Sequence, residues 1–241
     1  MTPPFGFLGA FGDAVEFIFN PQTTRFTGGR EVGGLDQVWD LTVTHLEVSG
    51  VALGIALVLA LPLGVVLGHA GRGEAFAISV GNSVRGVPEL ALIAFVAAFI
   101  GFGFGNVAIA LMVLGVAPIL TNSYVGVRQV DRDAVEAARG MGMSDLEIIT
   151  RVELPLAVPT IMTGVRTGAI NIIATASIAP LAGVLTLGDF ILARNVYGDD
   201  GVLAGAILVA LLAVTVEFSL AGLQRWLTPR GIKLARERAA A

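Results

Sequence analysis

The sequence predicts an all-α membrane protein with about five transmembrane helices, and three observations carry that prediction. Of 241 residues, 55% are hydrophobic and only 14% are charged, whereas soluble domains carry about 25% charged residues. The mean hydropathy is +0.81. Charge-free stretches recur at Val48–Leu67, Leu90–Val127, Thr167–Gly188 and Gly201–Val216, and a spanning helix needs about 20 apolar residues.

The chain start, MTPPFGFLGAFGDAVEFIFNPQ, has neither a positive n-region nor a small-residue cleavage site, so it does not read as a signal peptide. Its apolar stretch is short and contains Asp13 and Glu16. The expectation is an interfacial helix lying on the membrane and ended by Asn20-Pro21. Thr23–Gly34 follows as a Gly- and Thr-rich linker without apolar periodicity.

The first span is expected over about Leu46–Leu67. The charge-free Leu90–Val127 stretch cannot hold two spans plus the turn Phe102–Asn106. The second span must therefore begin near Val80, drawing Arg85 and Glu89 into its first turns, with a break or kink at Gly86 and Pro88. The third covers about Val107–Val127, with Pro118 as a kink site. The fourth covers about Leu156–Leu185, interrupted by Pro180, and the fifth about Val202–Trp226.

Lys and Arg gather in the polar loop Arg128–Leu154 (Arg128, Arg132, Arg139, Arg151) and after the fifth span (Arg225, Arg230, Lys233, Arg236, Arg238). The positive-inside rule then places the N-terminus outside and both segments in the cytoplasm. Trp39 and Trp226 fall at opposite faces as interface anchors.

The polar loop has internal order. Asp133 followed by Glu136 reads as an N-cap with an acid three residues on, and Ser144 with Glu147 as a second capping box. Gly140 or Gly142 supplies the stop between them, and Leu154-Pro155 is expected to close the second helix. Two short helices at a glycine corner make a compact protrusion of the size of a recognition element.

Some chemistry is excluded. Without cysteine there are no disulfides, thiolate metal sites or Cys nucleophiles. His45 and His69 are the only histidines and stand far apart in sequence, which argues against a His-based zinc site. The single lysine, Lys233, is followed by Leu234, so there is no phosphate-binding loop of the Gly-x4-Gly-Lys type. No cofactor and no nucleic-acid partner is expected.

Across the loop, Glu136-Ala137-Ala138, three residues, Gly142, nine residues, Val152, one residue and Leu154-Pro155 follow the spacing EAA-x3-G-x9-I-x-LP. This resembles the signature of the membrane-spanning subunits of ATP-binding-cassette importers, with Val152 where the family prefers Ile. The resemblance covers roughly Val38–Arg230 and is carried further by LPLGVVLGHAGRG at Leu61–Gly73, APILTNSYVGVRQVD at Ala117–Asp131, RVELPLAVPTIMTGVRT at Arg151–Thr167 and QRWLTPRG at Gln224–Gly231. It is most similar to permeases for osmoprotectants such as glycine betaine, choline and carnitine. Glu89 stands where those permeases carry a small hydroxyl residue.

The resemblance implies the type I importer permease arrangement with a cytoplasmic coupling-helix loop, and no catalysis on this chain. Residues 38–230 would be the permease domain, 1–37 an extracytoplasmic helix and linker, and 231–241 a basic cytoplasmic tail. Glu136, Ala137, Ala138, Gly142, Val152, Leu154 and Pro155 would dock a separate ATPase in the inner membrane of a prokaryote. An extracytoplasmic substrate-binding protein, a second permease copy or close relative, and membrane lipid would complete the assembly.

Polar residues inside the spans are expected to matter, since each is costly in hydrocarbon. Arg166 and Glu217 both lie about 14 Å from the cytoplasmic side at 1.5 Å per residue. They are expected to pair across spans four and five or across a dimer, the alternative being snorkelling of Arg166. Asn82, Ser83, Glu89, Asn122, Tyr124, Asn171, Thr175 and Ser177 are candidates for the translocation path, with interhelical hydrogen bonding as the competing role. Helical spacing places Asn171, Thr175 and Ile178 on one face. Competing functions are a permease for another zwitterion such as ergothioneine or an amino acid, a stand-alone secondary transporter using an Arg166–Glu217–Glu89 relay, and a membrane anchor.

Overall fold

The computed structural model describes residues 7–23, 29, 31–229 and 231. The tail residues Arg230, Lys233, Arg236 and Arg238, and half of the Thr23–Gly34 linker, lie outside the described residues.

The helices are α1 (Phe7–Phe19), α2 (Gly34–Ala70), α3 (Glu74–Arg85), α4 (Glu89–Ile100), α5 (Phe104–Arg128), α6 (Arg132–Gly140), α7 (Asp145–Ile148), α8 (Leu154–Thr175), α9 (Gly188–Leu192) and α10 (Arg194–Leu227). A π turn at Ile149–Glu153 joins α7 to α8, and a 3-10 segment at Ala176–Ala182 follows α8. The linker is not featureless: β1 (Gln22–Thr23) and β2 (Glu31–Val32) pair antiparallel. Among the described residues, four helical stretches are long and apolar enough to cross a membrane: Gly34–Ala70, Phe104–Arg128, Asp145–Ala182 and Arg194–Leu227. A fifth appears when α3 and α4 are counted as one bent span.

Several boundaries differ from the sequence expectation. α2 starts at Gly34 rather than near Leu46 and has 37 residues, about 55 Å at 1.5 Å per residue. Its N-terminal part carries Asp36, Asp40 and Glu47, charges that are costly in hydrocarbon. Arg85 and Glu89 do not share the first turns of one helix. Pro88 has no N–H to continue a ladder, so α3 stops at Arg85 and Glu89 opens α4. Span four gives way to 3-10 geometry before Pro180, so Asn171, Thr175 and Ile178 do not keep one α-helical face. In α10 the backbone leaves helical geometry at Gly198, with φ 70°.

The chain divides into two compact units. One comprises Met1–Val51, Glu89–Leu111 and Ile172–Thr215. Its core is set by Phe17, which meets Phe190 edge-on at 5.3 Å and Tyr197 at 6.3 Å. The inner stripe of α1, Ala14 and Phe17, is buried in protein, while Phe11, Val15 and Phe19 stay exposed. Tyr197 donates to Asp189 at 2.6 Å and accepts from Gln37, whose Oε1 takes the Gly33 N–H at 2.7 Å. Buried His45 contacts Ile173 O through Nε2 at 3.0 Å.

The other unit comprises Ala52–Pro88, Met112–Asn171 and Val216–Ala241. Small residues of α2, Ala56 and Ala60, pack there with Ile119, Leu120 and Tyr124 of α5 and Ala157 and Ile161 of α8. The α2–α5 approach is close: a methyl at Gly64 would lie 2.6 Å from Ser123 Cβ and 2.7 Å from Leu120 O. Such small-residue contacts are how helices associate in lipid, where no hydrophobic drive exists between them.

Candidate functional site

Three polar groupings in the second unit concentrate chemistry. The first is the loop between α5 and α8. Asp131, not Asp133, caps α6: its Oδ1 accepts the Asp133 N–H at 2.9 Å. The helix begins one residue after Asp131, so Asp133 falls inside its first turn, where an acid complements the helix dipole. α6 ends in a Schellman arrangement. Met143 N–H bonds Ala138 O at 3.2 Å and Gly142 N–H bonds Arg139 O at 3.0 Å, with Gly142 at φ 85°, a conformation that glycine reaches at little cost.

Ser144 then forms a complete capping box with Glu147. Glu147 N–H donates to Ser144 Oγ at 3.4 Å and Ser144 N–H to Glu147 Oε2 at 3.1 Å. The second helix does not close at Leu154-Pro155. It widens into the π turn, with Leu154 N–H bonded to Ile149 O, and continues as α8. Pro155 thereby sits in the first turn of α8, where its missing N–H costs least, and the wider turn relieves crowding against the Arg151 carbonyl.

The loop has two faces. Val135, Ala138 and Ile148 are buried in the unit's core, and Val152 and Leu154 pack against it. Glu136, Ala137 and Gly142 are exposed. Of the residues expected to dock a partner, Ala138 thus fastens α6 down, while Glu136 and Ala137 face outward. Sequence reasoning missed Met141 and Leu146, which are 74% and 70% exposed on the protruding side. Their signal was available: both are large apolar residues in a polar loop, off the buried stripe.

The second grouping lies on α8 and α10. Arg166 Nη2 donates to Glu217 Oε1, and Arg166 Nη1 to Gln224 Oε1 at 2.7 Å. Gln224 Nε2 in turn donates to Pro159 O at 3.0 Å. The structure therefore brings Arg166 and Glu217 together within one chain. They border a pocket of about 560 Å³ shared with Phe218, Ala221, Arg225 and Thr228.

The third grouping went unnoticed in the sequence because its members lie 84 positions apart. His69, in the last turn of α2, meets Glu153 of the π turn with Nδ1 2.7 Å from Oε2. Glu153 is buried, 1% exposed.

The path candidates scatter. Tyr124 is buried in the core of this unit, a packing position. Asn122 spends its amide on Pro118 O at 2.8 Å, and Ser177 its hydroxyl on Ala174 O at 2.6 Å. Thr175 is buried. Asn82, Ser83, Glu89 and Asn171 are exposed, Glu89 in the first turn of α4.

Residues 50–233 match the family described as binding-protein-dependent transport system inner membrane component. The chain belongs to this family. The permease is 40% identical to the carnitine transport permease protein OpuCB of Listeria monocytogenes, over 84% of this chain and 92% of that protein. It is 37% identical to the choline transport system permease protein OpuBB of Bacillus subtilis, over 81% and 91%. Among solved structures, inward-facing forms of the MetNI methionine ABC transporter superpose with a TM-score of 0.70 at 19% identity, covering 81% of this chain and 98% of that one. A crystal structure of an amino acid ABC transporter with histidines gives a TM-score of 0.63 at 19% identity, over 79% and 94%. The fold is thus that of the type I importer permeases, and this chain is a membrane-embedded transport permease subunit.

Proposed function

We propose that the permease forms the translocation path for a quaternary-amine osmoprotectant of the glycine betaine, choline or carnitine class. ATP hydrolysis resides on a separate cassette ATPase that seats on the loop Glu136–Pro155. The observation that carries the docking reading is the loop's outer face: Glu136 and Ala137 beside exposed Met141 and Leu146, on two capped helices of which the second runs without a gap into α8. An ordered apolar patch rimmed by charge fits a protein partner, because it needs little ordering on binding.

The substrate class is supported by relatives of similar length named for carnitine and choline transport. Capture would fall to an extracytoplasmic binding protein, and the path would form between two permease copies. Residues 38–230 serve as the permease domain, flanked by an outer N-terminal segment and a basic cytoplasmic tail. Exposed Asn82, Ser83, Glu89 and Asn171 are the path candidates of choice. Glu89 supplies a negative charge that attracts an ammonium group.

The test is uptake into proteoliposomes holding the permease, its ATPase and its binding protein. Labelled glycine betaine, choline and carnitine are offered singly, then against excess ergothioneine or amino acids. ATP-dependent uptake of at least one quaternary amine, resistant to amino-acid competition, is expected. Uptake driven without ATP would instead favour a secondary transporter.

A further inference from the structure

The buried carboxylate of Glu153 has no role in the docking face, and its position needs a cause. The π turn at Ile149–Glu153 adds one residue ahead of Pro155 and turns Glu153 inward, where it is 1% exposed. A buried charge is retained only with a partner. Among the described residues its ion-pair partner is His69, 2.7 Å away and 15% exposed. The second ring nitrogen of His69 lies 3.6 Å from Asp145 Oδ1, and that oxygen lies 3.4 Å from Arg139 Nη2. The contact with Glu153 is within hydrogen-bond distance, whereas the 3.6 Å approach to Asp145 is too long for a hydrogen bond.

We propose that His69 is a positioning residue that ties the docking loop to the end of the first long helix, so that loop movement carries α2 with it. The contacts are unequal. Asp145 and Arg139 are 73% and 59% exposed, and solvent screens such pairs to little value. The strong link is therefore His69–Glu153. Beside His69, α2 packs closely on α5: a methyl at Gly68 would lie 2.8 Å from Tyr124 O and one at Gly64 2.7 Å from Leu120 O. A displacement of the loop thus reaches α2 and α5 together, without passing through the bilayer portion of α8.

This inference rests on the docking reading above, and one experiment separates the two. The permease is reconstituted with its ATPase and binding protein, and uptake and ATP hydrolysis are measured in the same vesicles. In His69→Ala the ATPase stays bound and active while uptake per ATP falls about tenfold, mid-range for coupling between sites. The double variant His69→Gln/Glu153→Gln, whose amides keep a hydrogen bond without charge, restores uptake per ATP to within about twofold. Unchanged uptake per ATP in His69→Ala, or no recovery in the double variant, overturns the tie. Should His69→Ala fail to assemble, His69→Gln and Glu153→Ala are compared with the double variant under the same two criteria. A wild-type permease that does not retain the ATPase overturns the docking reading instead.

Discussion

Replacing Gly142 with alanine isolates the loop's corner from everything around it. The residue sits at φ +85°, and a methyl group there would meet nothing within 4 Å, so the only cost is conformational. Holding a non-glycine L-residue in the left-handed region costs about 1–2 kcal/mol. That lowers the population of loops with the docking geometry, and hence apparent affinity for the ATPase, by up to about 5- to 30-fold. Gly140, two positions earlier, is the internal control. It is the last residue of α6, and a methyl there also meets nothing within 4 Å, so Gly140→Ala should be neutral or gain up to about 1 kcal/mol. Gly142→Asn should fall between, because Asn tolerates the left-handed region better than Ala does. The assay is retention of the ATPase on immobilised permease across a range of ATPase concentrations. Equal retention by Gly142→Ala and wild type, or equal damage from Gly140→Ala, would refute the corner's role.

Two further outcomes follow from the second unit. Glu217→Gln keeps an amide oxygen that can accept from Arg166 but removes the negative charge opposite it. The pair is 29% and 28% exposed, so the loss should sit at the low end for a charged hydrogen bond, about 1.5 kcal/mol. It should appear as a melting-temperature drop of about 3–6 °C in detergent, with ATPase retention unchanged, and an unchanged melting temperature would count against the pair's contribution. Gly164→Ala places a methyl 2.6 Å from the Pro118 carbonyl, whereas at Gly168 the nearest atom, Gly115 O, is 3.3 Å away. Gly164→Ala should lose about 1–3 kcal/mol and much of its monodisperse fraction on mild heating. Gly168→Ala should lose clearly less, and equal losses would sink the argument.

What the sequence disclosed depended on the range of the interaction. Ser144 with Glu147 was legible because both halves of a capping box lie within four residues. The Asp133–Glu136 match was in the wrong register. Asp131, Asp133 and Glu136 all offer acids, and only backbone geometry chooses Asp131. Pro155 was misread as a terminator, since spacing alone does not reveal that a π turn lets a helix run past it. Tyr124 looked like a path residue because a hydroxyl in a span attracts attention, yet its ring fills the core between α2 and α5. The Arg166–Glu217 contact was anticipated from equal depth, a one-dimensional argument. His69 and Glu153 share no such clue, and only the folded chain brings them together.

The unusual length of α2 has its own consequence. Val48–Leu67 is the charge-free part, and the preceding Gly34–Glu47 extends the same helix by about 21 Å at 1.5 Å per residue. With a hydrocarbon core of about 30 Å, a bilayer centred on Val48–Leu67 would leave that extension clear of the acyl chains at the end opposite His69. It bears Asp36, Asp40 and Glu47, and Trp39 is 69% exposed along it. A visiting protein landing on that face would find a surface already frozen into shape, with its entropy spent during folding rather than at each encounter.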